Sequence, residues 1–304
     1  MRSWRMAVDA AAPVVDALAG AVAAPLACLQ HNLLHVTPAQ PEFVHQARAA
    51  LRRLRSVLRA MGGLREARAV RRPLRGLRQP MHELGGVLGA ARDADVFLLE
   101  SLPVLAATTG VSPSALAPLA RRATRWREAA YAAHDTQLRQ PVLAATLLRA
   151  ERLVWTLSGP RGTAANRPAR SAREVAAALA QAAHQRVARA ARRLAREGPG
   201  ARHALRIEVK RLRYLVDQWQ GVWPAPRTPP YLAALEGLQD LLGTLNDVAV
   251  ADALLARLRA LAHLQTAWRT HAQALLVRDL PPLKDRLAVL LATPVPWSGP
   301  DPEG

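Results

Sequence analysis

Leu, Val and Ala recur along this chain at three- and four-residue intervals, with Arg and other polar residues between them, which is the period of an amphipathic helix. Ala, Leu and Arg, all strong helix formers, dominate; β-branched runs are short, and Pro and Gly cluster where helices would end. The pattern predicts helices over residues 4–35, 42–61, 64–88, 93–107, 113–139, 141–157, 170–197, 201–221, 229–242, 247–262 and 263–292.

The stretch from Ser158 to Pro168 is rich in turn formers and has no apolar period, so it divides the chain into a first unit, 1–158, and a second, 159–304. A chain of 304 residues is at the size where one core gives way to two, and with 50% apolar residues it has ample core material. From Pro294 onward the tail is expected to fray. Cys28 is the single cysteine, which excludes an intrachain disulfide framework and fits a reducing compartment. Met1 to Ala24 is Ala/Val-rich, but Asp9, Pro13 and Asp16 interrupt it, so it reads as a helix rather than a signal sequence. No uninterrupted apolar span of about 20 residues occurs elsewhere, and no transmembrane segment is expected.

Two of the predicted helices carry the same basic phrase, 158 residues apart: H-Q-A-R-A-A-L-R-R-L-R from His45 to Arg55 and H-A-L-R-I-E-V-K-R-L-R from His203 to Arg213. His, Arg, Arg/Lys and Arg stand at offsets 0, 3, 7 and 10 in both, within an arc of roughly 80° on one side of a helix. Leu51, Leu54 and Leu58, like Leu205, Leu212 and Val216, fall on the other side. Charge is concentrated where these phrases lie. The chain carries a formal +19, yet Arg48–Arg78 alone holds eleven Arg against Glu66, and Arg186–Arg213 holds ten basic residues against Glu197 and Glu208. The remainder is nearly balanced, with 21 basic and 20 acidic residues. Such focusing is the footprint of a polyanion partner. Only Lys210 and Lys284 are lysines; guanidinium forks suit phosphate oxygens, although a GC-rich genome would also favour Arg.

A second phrase also repeats: Leu88-Gly-Ala-Ala-Arg-Asp93-Ala-Asp-Val96 parallels Leu242-Gly-Thr-Leu-Asn-Asp247-Val-Ala-Val250. Gly89 and Gly243 suit helix C-termini, and Asp93 and Asp247 suit the N-caps of the helices that follow. The expected fold is all-α: internally duplicated antiparallel helical bundles, two roughly four-helix halves about a pseudo-twofold axis.

Two copies of H-x-x-R-x-x-x-[RK]-R-L-R, each followed by L-G-x-x-[RN]-D, resemble the conserved histidine α-helical domain, CHAD, over about residues 10–290. The second copy, His203–Tyr214 with Leu242–Val250, matches more closely; in the first, Arg92 replaces Asn, and Pro73 and Pro80 interrupt a helix. The resemblance implies an all-α protein that binds inorganic polyphosphate in a basic groove or pore between the halves. No β-rich E-x-E-x-K segment of a triphosphate-tunnel domain is present, so a stand-alone form is expected.

On this reading the polyphosphate ligands are His45, Arg48, Arg52, Arg53, Arg55 and Arg59 on the first basic helix and His203, Arg206, Lys210, Arg211 and Arg213 on the second. Arg65, Arg68, Arg72 and Arg75 repeat the 0, 3, 7, 10 spacing on the next helix, and Arg189 and Arg193, after Arg186, form a row before His203. Each His either donates to phosphate, in which case binding tightens as pH falls through its titration range, or holds its helix against a neighbour. Neither has a ligating side chain at i+4, so metal binding is not expected, nor is a cofactor. Trp126 is expected in the core. No G-x-S-x-G, Walker-type or H-E-x-x-H motif occurs, and the basic windows exclude the acidic metal ligands that polyphosphate cleavage would need. Binding without catalysis, in the cytoplasm at polyphosphate granules and away from membranes, is the expectation. The rivals are a nucleic-acid module, which should interleave aromatics or Asn/Gln with the rows, an adaptor for acidic proteins, and a phosphohydrolase. The first reading requires the two basic faces to converge and to stay clear of neighbouring carboxylates.

Overall fold

The computed structural model describes residues 9–159, 170–194 and 199–298. Among them are ten α-helices and no strand: α1 (Val14–Leu33), α2 (Pro41–Met61), α3 (Arg71–Val96), α4 (Leu102–Thr109), α5 (Pro113–Leu138), α6 (Pro141–Ser158), α7 (Ala172–Leu194), α8 (Pro199–Trp219), α9 (Thr228–Arg257) and α10 (Ala262–Ala292). The fold is all-α, as expected. The start of the first predicted helix, nearly all of the Ser158–Pro168 boundary, the end of the 170–197 helix and the last tail residues lie outside the described residues.

Several boundaries differ from the sequence reading. Residues 9–13 are not helical: the Ala11 N–H donates to Asp9 Oδ1 at 2.9 Å in a turn, and Pro13 is extended ahead of α1. The Val14 N–H donates to the Arg170 carbonyl (3.1 Å) and the Ala172 N–H to the Ala12 carbonyl (2.8 Å), which ties the starts of α1 and α7 together. Residues 64–67 are not helical, and a single 3-10 turn, Arg68–Val70, precedes α3. Neither Pro73 nor Pro80 ends α3, which continues to Val96; Pro73 sits in the first turn, where its missing N–H has no partner to lose.

The two predicted Gly-Asp breaks are absent. α3 runs through Gly89 and Asp93 and passes by a π turn, Phe97–Ser101, into α4, while α9 runs unbroken through Gly243 and Asp247. The real end of α9 is made by tertiary contacts. Arg259 adopts a left-handed φ of 50°, and Arg122 of α5 donates from Nε to the Leu258 carbonyl (2.7 Å) and from Nη2 to the Arg259 carbonyl (3.1 Å). Carbonyls that lack a partner at a helix C-terminus are thereby satisfied.

α1 is central, packed on α2, α6 and α7, with Leu18, Val22, Leu26 and Leu29 fully buried. It is long and apolar enough to cross a membrane by length and composition alone, but half of that stretch is buried among other helices. α2 lies between α1 and α3, α8 lies between α7 and α9, and α2 meets α8 directly. The main apolar cluster draws on α1–α3 and α5–α10; a smaller one joins the π turn, α4 and α5 to α9 and α10. Each cluster takes residues from both sides of position 158, so the two stretches of chain share their cores. Trp126 packs against the smaller cluster, with the Arg257 guanidinium 5.1 Å from its ring.

Candidate functional site

The apolar stripes of the two basic helices fix where the basic stripes must point. On α2, Val44, Ala47, Leu51, Leu54 and Leu58 are buried; on α8, Leu205, Val209, Leu212 and Val216 are. With these faces committed to the core, the opposite faces converge on a cavity of about 660 Å³ between α2, α7 and α8. α2 contributes Arg48, Arg52, Arg55, Ser56, Arg59 and Ala60; α8 contributes Arg206, Ile207, Lys210, Arg211, Tyr214 and Leu215. α7 closes the third side with Leu179, Ala182, Ala183 and Arg186, where two alanines leave room for the long arginines opposite. Among the described residues, eight basic side chains line the space and no carboxylate does.

Confinement of like charges has a measurable consequence. Burial, then Arg206 and Arg52, hold the Lys210 ammonium down at about 7, so near neutrality it is divided between charged and neutral forms. Arg52 and Arg206 are pushed below the usual guanidinium range by the same burial, and the Nε of each is buried without a hydrogen-bond acceptor. Arg52 lies 5.9 Å from the Tyr214 ring centroid and pairs with no carboxylate among the described residues, nor does Lys210. These two residues hold the same offset, 7, in the two phrases.

Several other members of the rows are already engaged, so the expectation that carboxylates stay clear of them needs correcting; Arg55 and Arg59, like Arg52 and Lys210, pair with no described carboxylate. Within each stripe it holds, apart from Glu208; across helices it does not. Arg48 pairs with Asp93 of α3 (3.2 Å), Arg53 with Asp217 of α8 (3.2 Å), Arg206 loosely with Asp247 of α9 (3.8 Å), and Arg213 with Glu236 of α9 (2.8 Å). Arg211 and Arg186 both pair with Glu208. Arg53 and Arg213 thus point to the flanks and line no part of the cavity.

The same contacts explain the missing helix break at Gly89. Arg48 Nη1 donates to the Gly89 carbonyl at 3.0 Å, and a Cβ on Gly89 would stand 3.1 Å from that nitrogen. One turn earlier on α3, a Cβ on Gly85 would stand 3.0 Å from Arg55 Nη1. Gly89 is therefore a seat for a guanidinium and Asp93 its counter-charge, four residues on along the same helix face, rather than a helix end and a cap.

The histidines lie outside the cavity lining. His45 is half-buried, and burial followed by the Arg92 charge lowers its pKa, so its protonation is postponed to more acidic pH. His203 is exposed, and its Nδ1 lies 3.2 Å from Asn246 Oδ1. Arg65, Arg68, Arg72 and Arg75 do not form one helical row, because α3 begins only at Arg71. Arg65 turns onto Glu66, which is itself gripped by Arg170 at 2.8 and 2.9 Å. Arg189 and Arg193 line a second cavity of about 380 Å³ that adjoins the first.

Ser56, Tyr214, Ile207, Leu215 and, on the α7 wall, Leu179, Ala182 and Ala183 were not predicted. Ser56 at offset 11 completes the α2 stripe, and Ala182 and Ala183 sit one turn before Arg186, so helical spacing carried that signal. No group of three or more metal-ligating side chains occurs among the described residues.

The family model of the CHAD domain matches residues 20–256. A crystal structure of the CHAD domain from the plant Ricinus communis superposes with a TM-score of 0.77 at 27% identity, covering 95% of this chain and 96% of that one. PptA from Streptomyces chartreusis superposes with a TM-score of 0.66 at 18% identity, covering 92% of this chain and 99% of that one, which bears on the fold alone. No curated protein matches the chain. A helix-packed basic cavity, the doubled phrase that builds it and a family match over most of the sequence agree: the chain belongs to the CHAD domain family.

Proposed function

We propose that the protein binds inorganic polyphosphate, without turning it over, in the cavity between α2, α7 and α8. The observation that carries this reading is the confinement of eight cations with no lining carboxylate among the described residues, four of them, Arg52, Arg55, Arg59 and Lys210, in no ion pair with a described carboxylate. Burying like charges together is costly, and the cost falls when an anion enters. Arginine forks on both walls can each bracket phosphate oxygens through charge-assisted bonds, so a linear anion with charge at every residue fits better than an isolated one. Among the described residues the lining holds no carboxylate to carry a divalent metal, which supports binding rather than hydrolysis. Binding would place the protein in the cytoplasm, where polyphosphate collects in granules.

A nucleic acid fits less well. Among the described residues Tyr214 is the one aromatic in the lining, it already faces the Arg52 and Arg53 guanidinium groups, and no Asn or Gln stands there to read a base. Isothermal titration with polyphosphate at two salt concentrations should show affinity falling steeply with salt, as counterion release requires. Displacement of bound polyphosphate by DNA or RNA at matched phosphate concentration would overturn the assignment, and release of phosphate in the presence of Mg²⁺ would show an enzyme instead.

A further inference from the structure

Glu208 breaks the pattern of the basic stripes. Among the described residues it is the single carboxylate bordering either cavity; it lines the smaller one, and its side chain is only 17% exposed. Its Oε2 accepts from Arg186 Nε at 3.1 Å, and its Oε1 accepts from Arg211 Nη1. Arg186, Arg211 and Ile207 line both cavities, so they form the junction through which a chain leaving the first cavity enters the second. Beyond it wait Arg189 and Arg193, exposed on α7. The equivalent position on α2 is Ala50, fully buried, so the carboxylate belongs to one of the two basic helices only.

We propose that Glu208 is a built-in competing anion that sets the length of phosphate chain the protein prefers. The proposal rests on the reading of the first cavity as a phosphate site. A short chain satisfies Arg48, Arg52, Arg206 and Lys210 without disturbing Glu208. A longer one gains Arg189 and Arg193 only by displacing the Glu208 carboxylate from Arg186 and Arg211, which breaks two charge-assisted bonds and brings two anions together. The carboxylate therefore subtracts from the affinity of chains that cross the junction and leaves shorter ones nearly untouched.

Titration of the full chain with polyphosphates of graded length, from tripolyphosphate upward, compared per phosphate, tests this in the wild type, Glu208→Gln and Asp252→Asn. Asp252 pairs with Arg269 and lines neither cavity, so its variant carries the same charge change away from the junction. For Glu208→Gln the ratio of long-chain to short-chain affinity should rise about tenfold, the size of one lost charge-assisted competitor, and the length at which affinity levels off should increase. Asp252→Asn should strengthen all lengths alike and leave the ratio unchanged. Wild-type binding with the same ratio in Glu208→Gln overturns the role of Glu208 and leaves the phosphate site standing. Absence of wild-type binding to any length overturns that reading, and the proposal with it.

Discussion

α2 and α8 carry the same phrase, yet their basic residues are held in different ways. On α2, Arg48 and Arg55 lie against α3, where Gly89 and Gly85 remove the Cβ atoms that would crowd them, and Arg48 also reaches Asp93 at 3.2 Å. On α8, Arg206 stays 3.8 Å from Asp247, and Gly243, in the position matching Gly89, has nothing within 4 Å of where a Cβ would be. His203 has Asn246 beside it, whereas His45 has Arg92, whose charge works against protonation. A repeated motif thus brings offsets 3 and 7 of both helices to the cavity, but it fixes neither the remaining positions, since Arg55 and Arg211 line it and their equivalents Arg213 and Arg53 do not, nor how far each charge is neutralised. Offset 7 is where the copies agree: Arg52 and Lys210 both face the cavity without a carboxylate partner. The flanking Arg53 and Arg213 spend their charge on Asp217 and Glu236.

The sharpest break of this comparison is to reverse the charge of the shared pair. Arg52→Glu with Lys210→Glu should weaken polyphosphate binding more than about 100-fold, the combined size of two charge-assisted contacts, with the far-UV circular dichroism unchanged. Retained binding would show that the ligand uses another face.

Lys210 alone separates α8 from α2, because Arg52 cannot lose its proton in the accessible range. In the free protein Lys210 is held at about 7, and a bound phosphate should return it toward the ordinary lysine value of 10.5. Below about pH 7 the ammonium is present already; between about 7 and 10 binding must take up a proton, so affinity should fall as pH rises through that window, approaching tenfold per unit at its centre. Calorimetry at pH 8 in buffers of different ionisation enthalpy should record close to one proton taken up, and Lys210→Met should record none. The free protein should respond in the opposite sense. Its folded Lys210 has the lower pKa, so the unfolded chain binds more protons over the same window and folding stability should rise with pH there.

The glycines test the difference in seating. Gly243→Ala should gain about 0.5–1 kcal/mol in thermal unfolding, as an uncrowded helix interior allows. Gly89→Ala should gain less or lose, because Arg48 must shift away from the Gly89 carbonyl. Equal gains would mean that Arg48 is not seated as described. The smallest effect should come from the flank: Arg213→Ala, already neutralised by Glu236 and outside the lining, should change polyphosphate affinity less than about threefold.

The sequence by itself determined the helical class, the near limits of α2, α5, α6, α8 and α10, and which face of each basic helix is wet. Those follow from local periodicity, because side chains three and four residues apart share a helix face wherever the helix is placed. The identity of Arg52 and Lys210 as an equivalent pair was legible for the same reason. Only the tertiary structure decided which charges remain available. Asp93, Asp217, Glu236 and Asp247 lie between 23 and 164 residues from the arginines they pair with, and no local pattern links them. Gly89 misled because a glycine that ends a helix and a glycine that admits a guanidinium look alike in sequence, and packing against α2 separates them; Gly243 does neither, sitting uncrowded inside α9. The cavity belongs to the same category, since its third wall is α7, whose alanines acquire meaning only opposite the long side chains of α2 and α8.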